Sequence, residues 1–66
     1  MKVRINKVIG FRVNPEIEKG TGIKYYKIQA VTKSGSFRSG DKFKDKKSAY
    51  DRLNKEVGNS KEFITI

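Results

Sequence analysis

The apolar residues of this chain change their period at Asp45. Before it they recur mainly at every second position, and after it at every third or fourth. A side-chain period of two belongs to a strand with one buried face, and a period near 3.6 belongs to a helix. The chain is therefore restricted to strands first and a helix after them, the pattern of an α+β fold.

Residues 2–13, KVRINKVIGFRV, place Val3, Ile5, Ile9, Phe11 and Val13 on one parity and Lys2, Arg4, Asn6 and Arg12 on the other. They predict a first strand with one buried face. Lys7 interrupts the apolar row, and Gly10 marks a bulge or bend. Residues 14–22, NPEIEKGTG, predict a loop: Asn-Pro opens a turn and two glycines close it. Ile17 in that loop either tucks back onto the core or is an exposed contact.

Residues 23–33 predict the second strand, with Tyr26, Ile28 and Ala30 inside and Tyr25, Lys27, Gln29, Val31 and Lys33 outside. Ser34-Gly35 supplies a turn, because glycine tolerates the positive φ of tight hairpins. Residues 36–43 return as a third strand. Phe37 and Phe43 share the inner parity, and Arg38 and Lys42 the outer one. Gly40 is where that phase can shift.

From Asp45 onward, DKKSAYDRLNKEVG places Ala49, Tyr50, Leu53 and Val57 on one helical stripe. Asp45 is positioned as N-cap, Gly58 suits the left-handed C′ site, and Lys55 falls in the last turn. The tail KEFITI, β-branched and aromatic, predicts a short final strand. The order is β-β-β-α-β: one small basic domain over residues 1–66, an antiparallel sheet of three to four strands with one helix on one face. A chain of 66 residues buries only about 60% of the surface its unfolded form exposes, so the core is small. The second face of the sheet is left uncovered.

Composition removes most chemistry from consideration. There is no cysteine and no histidine, hence no thiolate and no imidazole as nucleophile, base or metal ligand. Glu16 and Glu18 are neighbours on a loop, where paired acids serve solvation. Asp41, Asp45 and Asp51 would form a metal site only by converging, and Asp45 already has a capping role. The glycines of SGSFRSG sit in a hairpin, with no helix amides aimed at an anion. No enzyme activity, cofactor or metal is expected. No apolar run approaches the roughly 18 residues of a membrane helix, and charge breaks the N-terminus too often for a signal peptide. With no cysteine, a cytoplasmic location is expected.

Charge points to a partner. Sixteen Lys and Arg against seven Asp and Glu give +9, a field that attracts polyanions whatever the fold. Any one-layer sheet has a solvent face where lysine collects. Here, however, most of the cations before the helix, Lys2, Arg4, Arg12, Lys27, Lys33, Arg38 and Lys42, fall on one predicted face. With Lys2 and Asn6, the outer row gathers the candidate nucleic-acid contacts Arg4, Arg12, Tyr25, Lys27, Gln29, Lys33, Arg38 and Lys42. The cations would neutralise phosphates. Asn6 and Gln29 would offer amides to adenine edges, Arg38 would reach guanine, and Tyr25 would stack on a base or pack on a sugar.

The stretch from Tyr25 to Val57 resembles the N-terminal arm-type DNA-binding domain of tyrosine recombinases. The features that carry it are Tyr25-Tyr26, the Ser34-Gly35 hairpin, Phe43, Asp45, and Lys46-Lys47 before Ala49. In that family a three-stranded sheet enters the major groove and a helix backs it. The resemblance implies DNA in preference to RNA, with Lys27, Gln29 and Arg38 facing the groove. It covers half the chain and leaves the strand FITI outside. That strand covers a sheet edge or offers it for weak homodimerisation; otherwise the chain is a monomer. The chain also resembles small basic phage-encoded proteins that bind and modulate a host protein, a protein-interaction alternative carried by Ile17 and the apolar tail.

Overall fold

The structure is a computed structural model and describes residues 1–59 and 62–66. Among the described residues, five strands and one α-helix form the expected α+β arrangement, the strands divided between two sheets. The larger is antiparallel with order β2-β3-β4, from Val8–Ile17, Lys24–Thr32 and Gly35–Arg38. The smaller pairs β1, Lys2–Arg4, with β5, Phe63–Thr65. The helix α1, Lys46–Asn59, joins both in one core. That core comprises Val3, Ile28, Ala30, Ala49, Leu53, Ile64 and Ile66.

The first predicted strand is broken in two. A single 3-10 turn, Ile5–Lys7, separates β1 from β2 and sends the two halves to different sheets. Just beyond it the β2–β3 register slips by one residue: Val8 faces Thr32, and Gly10 faces Val31. A one-residue slip exchanges the faces of a strand. Val8 therefore packs against the core, and Ile9, expected inside, is 66% exposed. The irregularity adjoins Gly10, the position where the sequence marked a bulge or bend.

The expected loop at 14–22 is shorter. β2 continues through Asn14 and Pro15 to Ile17, paired as far as Ile17↔Lys24. The reason lies in the direction of each backbone. Tyr26 exchanges both of its backbone bonds with Phe43, at 2.7 and 2.9 Å. Its β2 neighbour Pro15 therefore turns its imide nitrogen to the open edge, where a missing N–H breaks no ladder bond. The remaining turn is closed by Gly20 at φ 90° and Gly22 at φ 72°. Ile17 is exposed.

β3 and β4 are joined through Lys33 and Ser34, with Gly35 facing Thr32 at φ 145°. The turn thus lies one residue earlier than Ser34-Gly35. After Arg38 the ladder is continued by Ser39. Its N–H donates to the Ile28 carbonyl at 2.7 Å, and its hydroxyl accepts the Ile28 N–H at 3.1 Å. The chain then bows out and returns at the Tyr26↔Phe43 bridge, two residues out of register with the Ala30↔Phe37 pairing. An even offset conserves parity, so Phe37 and Phe43 stay on the inner side, as the alternation predicts.

The helix begins as expected, with the Ser48 N–H donating to Asp45 Oδ1 at 2.7 Å. Its stripe is narrower than predicted. Ala49 and Leu53 are buried, whereas Tyr50 is 48% exposed and Val57 is also exposed. A single helix over so small a sheet buries one line of residues, not a broad face. Gly58 lies inside the helix without a positive φ, so it is not a left-handed stop. The helix runs on to Asn59 and has no basic residue in its last turn, so Lys55 lies one turn too early.

The tail is core. Ile64 and Ile66 are buried, and β5 pairs antiparallel with β1 from Lys2↔Thr65 to Arg4↔Phe63. The Thr65 N–H, which points away from β1, donates to Glu56 on the helix at 3.2 Å. Lys61 of the expected strand lies outside the described residues. Among the described residues, no helix is long and apolar enough to cross a membrane.

Candidate nucleic-acid interface

The helix and the small sheet both pack on the inner row of β3, around Ile28 and Ala30, which leaves the opposite row facing solvent. Cross-strand register defines this outer face. Arg12, Gln29 and Arg38 form one row across β2, β3 and β4. Asn14 and Lys27 form the next, and Glu16 with Tyr25 the one after. Three strands about 4.8 Å apart make a ribbon roughly 10 Å wide between outer axes, within the ~12 Å of a DNA major groove.

Six of the eight predicted contact residues come together here: Arg12, Tyr25, Lys27, Gln29 and Arg38 on the face, and Lys42 at its margin. Lys42 Nζ lies 4.8 Å from the centre of the Tyr25 ring and 3.4 Å from Glu18. Two predicted residues are elsewhere. Arg4, with its neighbour Lys2, belongs to the β1–β5 sheet, because the 3-10 turn carries that segment off the main sheet. Lys33 sits in the β3–β4 turn. Asn6 falls within the 3-10 turn and is also off the face.

The face residues are not equivalent. Gln29 accepts a hydrogen bond from Asn14 Nδ2 at 2.8 Å, which fixes the two amides against each other. Arg38 is ion-paired to Glu16, and the same carboxylate accepts the Tyr25 hydroxyl at 3.2 Å. Arg12 and Lys27, on diagonal positions of β2 and β3, form no ion pair among the described residues. They are the two side chains of the face ready to meet an external anion.

The sequence pattern predicts a loop for Asn14 and Glu16, whereas both lie in β2 and contribute to the face. The signal was present: Arg12, Asn14 and Glu16 alternate with Val13, Pro15 and Ile17. Asn-Pro favours a turn in isolation, but a proline on an open edge breaks no ladder bond. The acids weighed as metal ligands are separately engaged. Asp45 caps the helix, Asp51 pairs with Lys47 at 2.8 Å, and Asp41 pairs with Arg52 at 3.2 Å.

Other cations meet at one end of the molecule. A groove of about 440 Å³ between the 3-10 turn and the β3–β4 turn is lined by Asn6, Lys7, Ile9, Thr32, Lys33 and Ser34. Lys7, Thr32 and Ser34 also line an adjoining recess with Lys2, Val3, Arg4 and Phe37. The break that Lys7 makes in the apolar row is the trace of the turn that borders the groove. No family model, curated protein or solved structure matches this chain.

Proposed function

We propose that this protein binds nucleic acid, DNA in preference to RNA, by laying the outer face of its three-stranded sheet against phosphates. The observation that carries the proposal is the adjacency of Arg12 and Lys27 on a solvent-facing ribbon of groove width, with no acid partner for either among the described residues. An excess of +9 supplies the long-range attraction that brings a polyanion to such a face. Gln29 and Asn14, held to each other, present a preformed amide pair in the same rows. The preference for DNA rests on the resemblance of the stretch from Tyr25 to Val57 to recombinase arm-type domains.

A salt titration of binding to a short duplex tests this reading. Contacts from Arg12, Lys27 and one or two neighbours give a slope of log affinity against log salt of about −2 to −4. Arg12→Ala and Lys27→Ala should each weaken all sequences alike and flatten that slope by about 0.9. Affinity that is indifferent to both substitutions removes the face as the contact surface.

A further inference from the structure

The end groove carries more uncompensated charge than the sheet face. On the face, Arg12, Lys27, Arg38 and Lys42 are offset by Glu16 and Glu18. Around the groove and its recess stand Lys2, Arg4, Lys7 and Lys33, and no Asp or Glu is among the lining residues. None of these four cations forms an ion pair among the described residues. Arg4 lies over the Phe63 ring, 5.1 Å from its centre, and shares a small separate pocket with Glu62. It is therefore the least available of the four.

The recess also holds an aromatic surface. Phe37 is on the inner parity of β4, an edge strand of the main sheet, yet 41% of it is exposed. Its ring lines the recess beside Lys2, Lys7 and Ser34. Cations that track a phosphate chain next to an aromatic ring that accepts a base are the two parts of a single-strand site. A duplex cannot use the second part, since its bases are stacked on one another.

We infer that the groove between the 3-10 turn and the β3–β4 turn, together with its adjoining recess, grips an unpaired nucleotide stretch, with phosphates on Lys2, Lys7 and Lys33 and a base against Phe37. The inference rests on the nucleic-acid reading above and names the form of the ligand. Lys33 lies at the tip of the β3–β4 hairpin, so one strand leaving the groove passes over that tip toward the outer face. Each lysine contributes a phosphate contact, and Phe37 makes the site distinguish single strands from duplexes.

The test compares short single-stranded oligothymidylate with a duplex of the same length, by fluorescence anisotropy against wild type and five variants. Phe37→Ala should weaken single-strand binding roughly tenfold and leave duplex binding within about twofold. Lys7→Ala and Lys33→Ala should each flatten the single-strand salt slope by about 0.7. The altered side chains are exposed, so melting temperatures near wild type should accompany these losses. If Arg12→Ala and Lys27→Ala reduce single-strand binding while the groove variants do not, the groove inference fails and the nucleic-acid reading stands. Competition by polyglutamate as effective as by oligothymidylate also overturns it, because the groove would then be a general polyanion site. If wild type binds neither oligonucleotide at moderate salt, the nucleic-acid reading fails and the groove inference fails with it.

Discussion

Arg38 and Glu16 form an ion pair that spans the sheet, from β4 to β2 across β3. It crosses the outer face diagonally, between the row of Gln29 and the row of Tyr25. The pair holds one of the four cations of that face in place and places a carboxylate among groups that would otherwise meet phosphate. A partly exposed ion pair of this kind adds little to stability. Its consequence for binding is larger, since it withdraws Arg38 from an external anion.

Glu16→Gln should therefore tighten duplex binding. The amide keeps the shape and an acceptor for the Tyr25 hydroxyl, removes a negative charge and releases Arg38. One added phosphate contact steepens the salt dependence by about 0.9 in the log–log slope. The measurement is a pair of salt titrations, and an unchanged slope would show that Arg38 stays away from the ligand.

Leu53→Ala should destabilise the fold by about 2–5 kcal/mol. Leu53 and Ala49 are the buried residues of α1, so few other contacts on the helix compensate for the cavity. Tyr50→Ala, at an exposed site of the same helix, should cost much less. Urea denaturation of both variants checks the contrast, and equal losses would mean that Tyr50 packs as tightly as Leu53.

Asp45 makes stability depend on pH in the acid range. The backbone N–H of Ser48 holds its carboxyl below the ordinary value, helped by the Ser48 hydroxyl and by Lys44 and Lys47. A depressed folded-state pKa contributes stability that is present above the unfolded-state value and is lost as pH falls through the folded-state value. Asp45→Asn keeps a capping oxygen and has nothing to titrate. Between neutral pH and about pH 2, the melting temperature of wild type should fall further than that of the variant, with the gap opening below about pH 4. Parallel curves would assign the acid sensitivity to other carboxylates.

Pro15→Val should promote self-association. Among the described residues β2 has a neighbour on one side only, and Pro15 lies midway along the segment Val13–Ile17 with its nitrogen toward the open edge. A valine restores an N–H donor there and raises β-propensity, which removes a device that protects edges from pairing. Light scattering across a concentration series should show dimers or larger species for the variant at concentrations where wild type is monomeric. A monomeric variant would show that the edge is guarded by other means.

The change of period at Asp45 was enough to set the α+β class, the helix start and its Asp45 cap, and the inner row Tyr26, Ile28 and Ala30. These are local facts: a side chain's parity or helical phase follows from its own neighbours in the chain. The even register offset after Arg38 left Phe37 and Phe43 on the side that alternation assigns them. What only tertiary structure decided are the places where one residue of phase is gained or lost. The 3-10 turn at Ile5–Lys7 and the slip before Gly10 send Lys2 and Arg4 to a second sheet and turn Ile9 outward, since a strand's faces alternate and any odd insertion exchanges them. Strand position decided the rest. Pro15 could extend β2 because its nitrogen meets an edge, and the tail became core because β1, freed from the main sheet, needed a partner. The groove that gathers Lys7 and Lys33 joins residues distant in sequence, and no periodicity in either segment encodes their meeting.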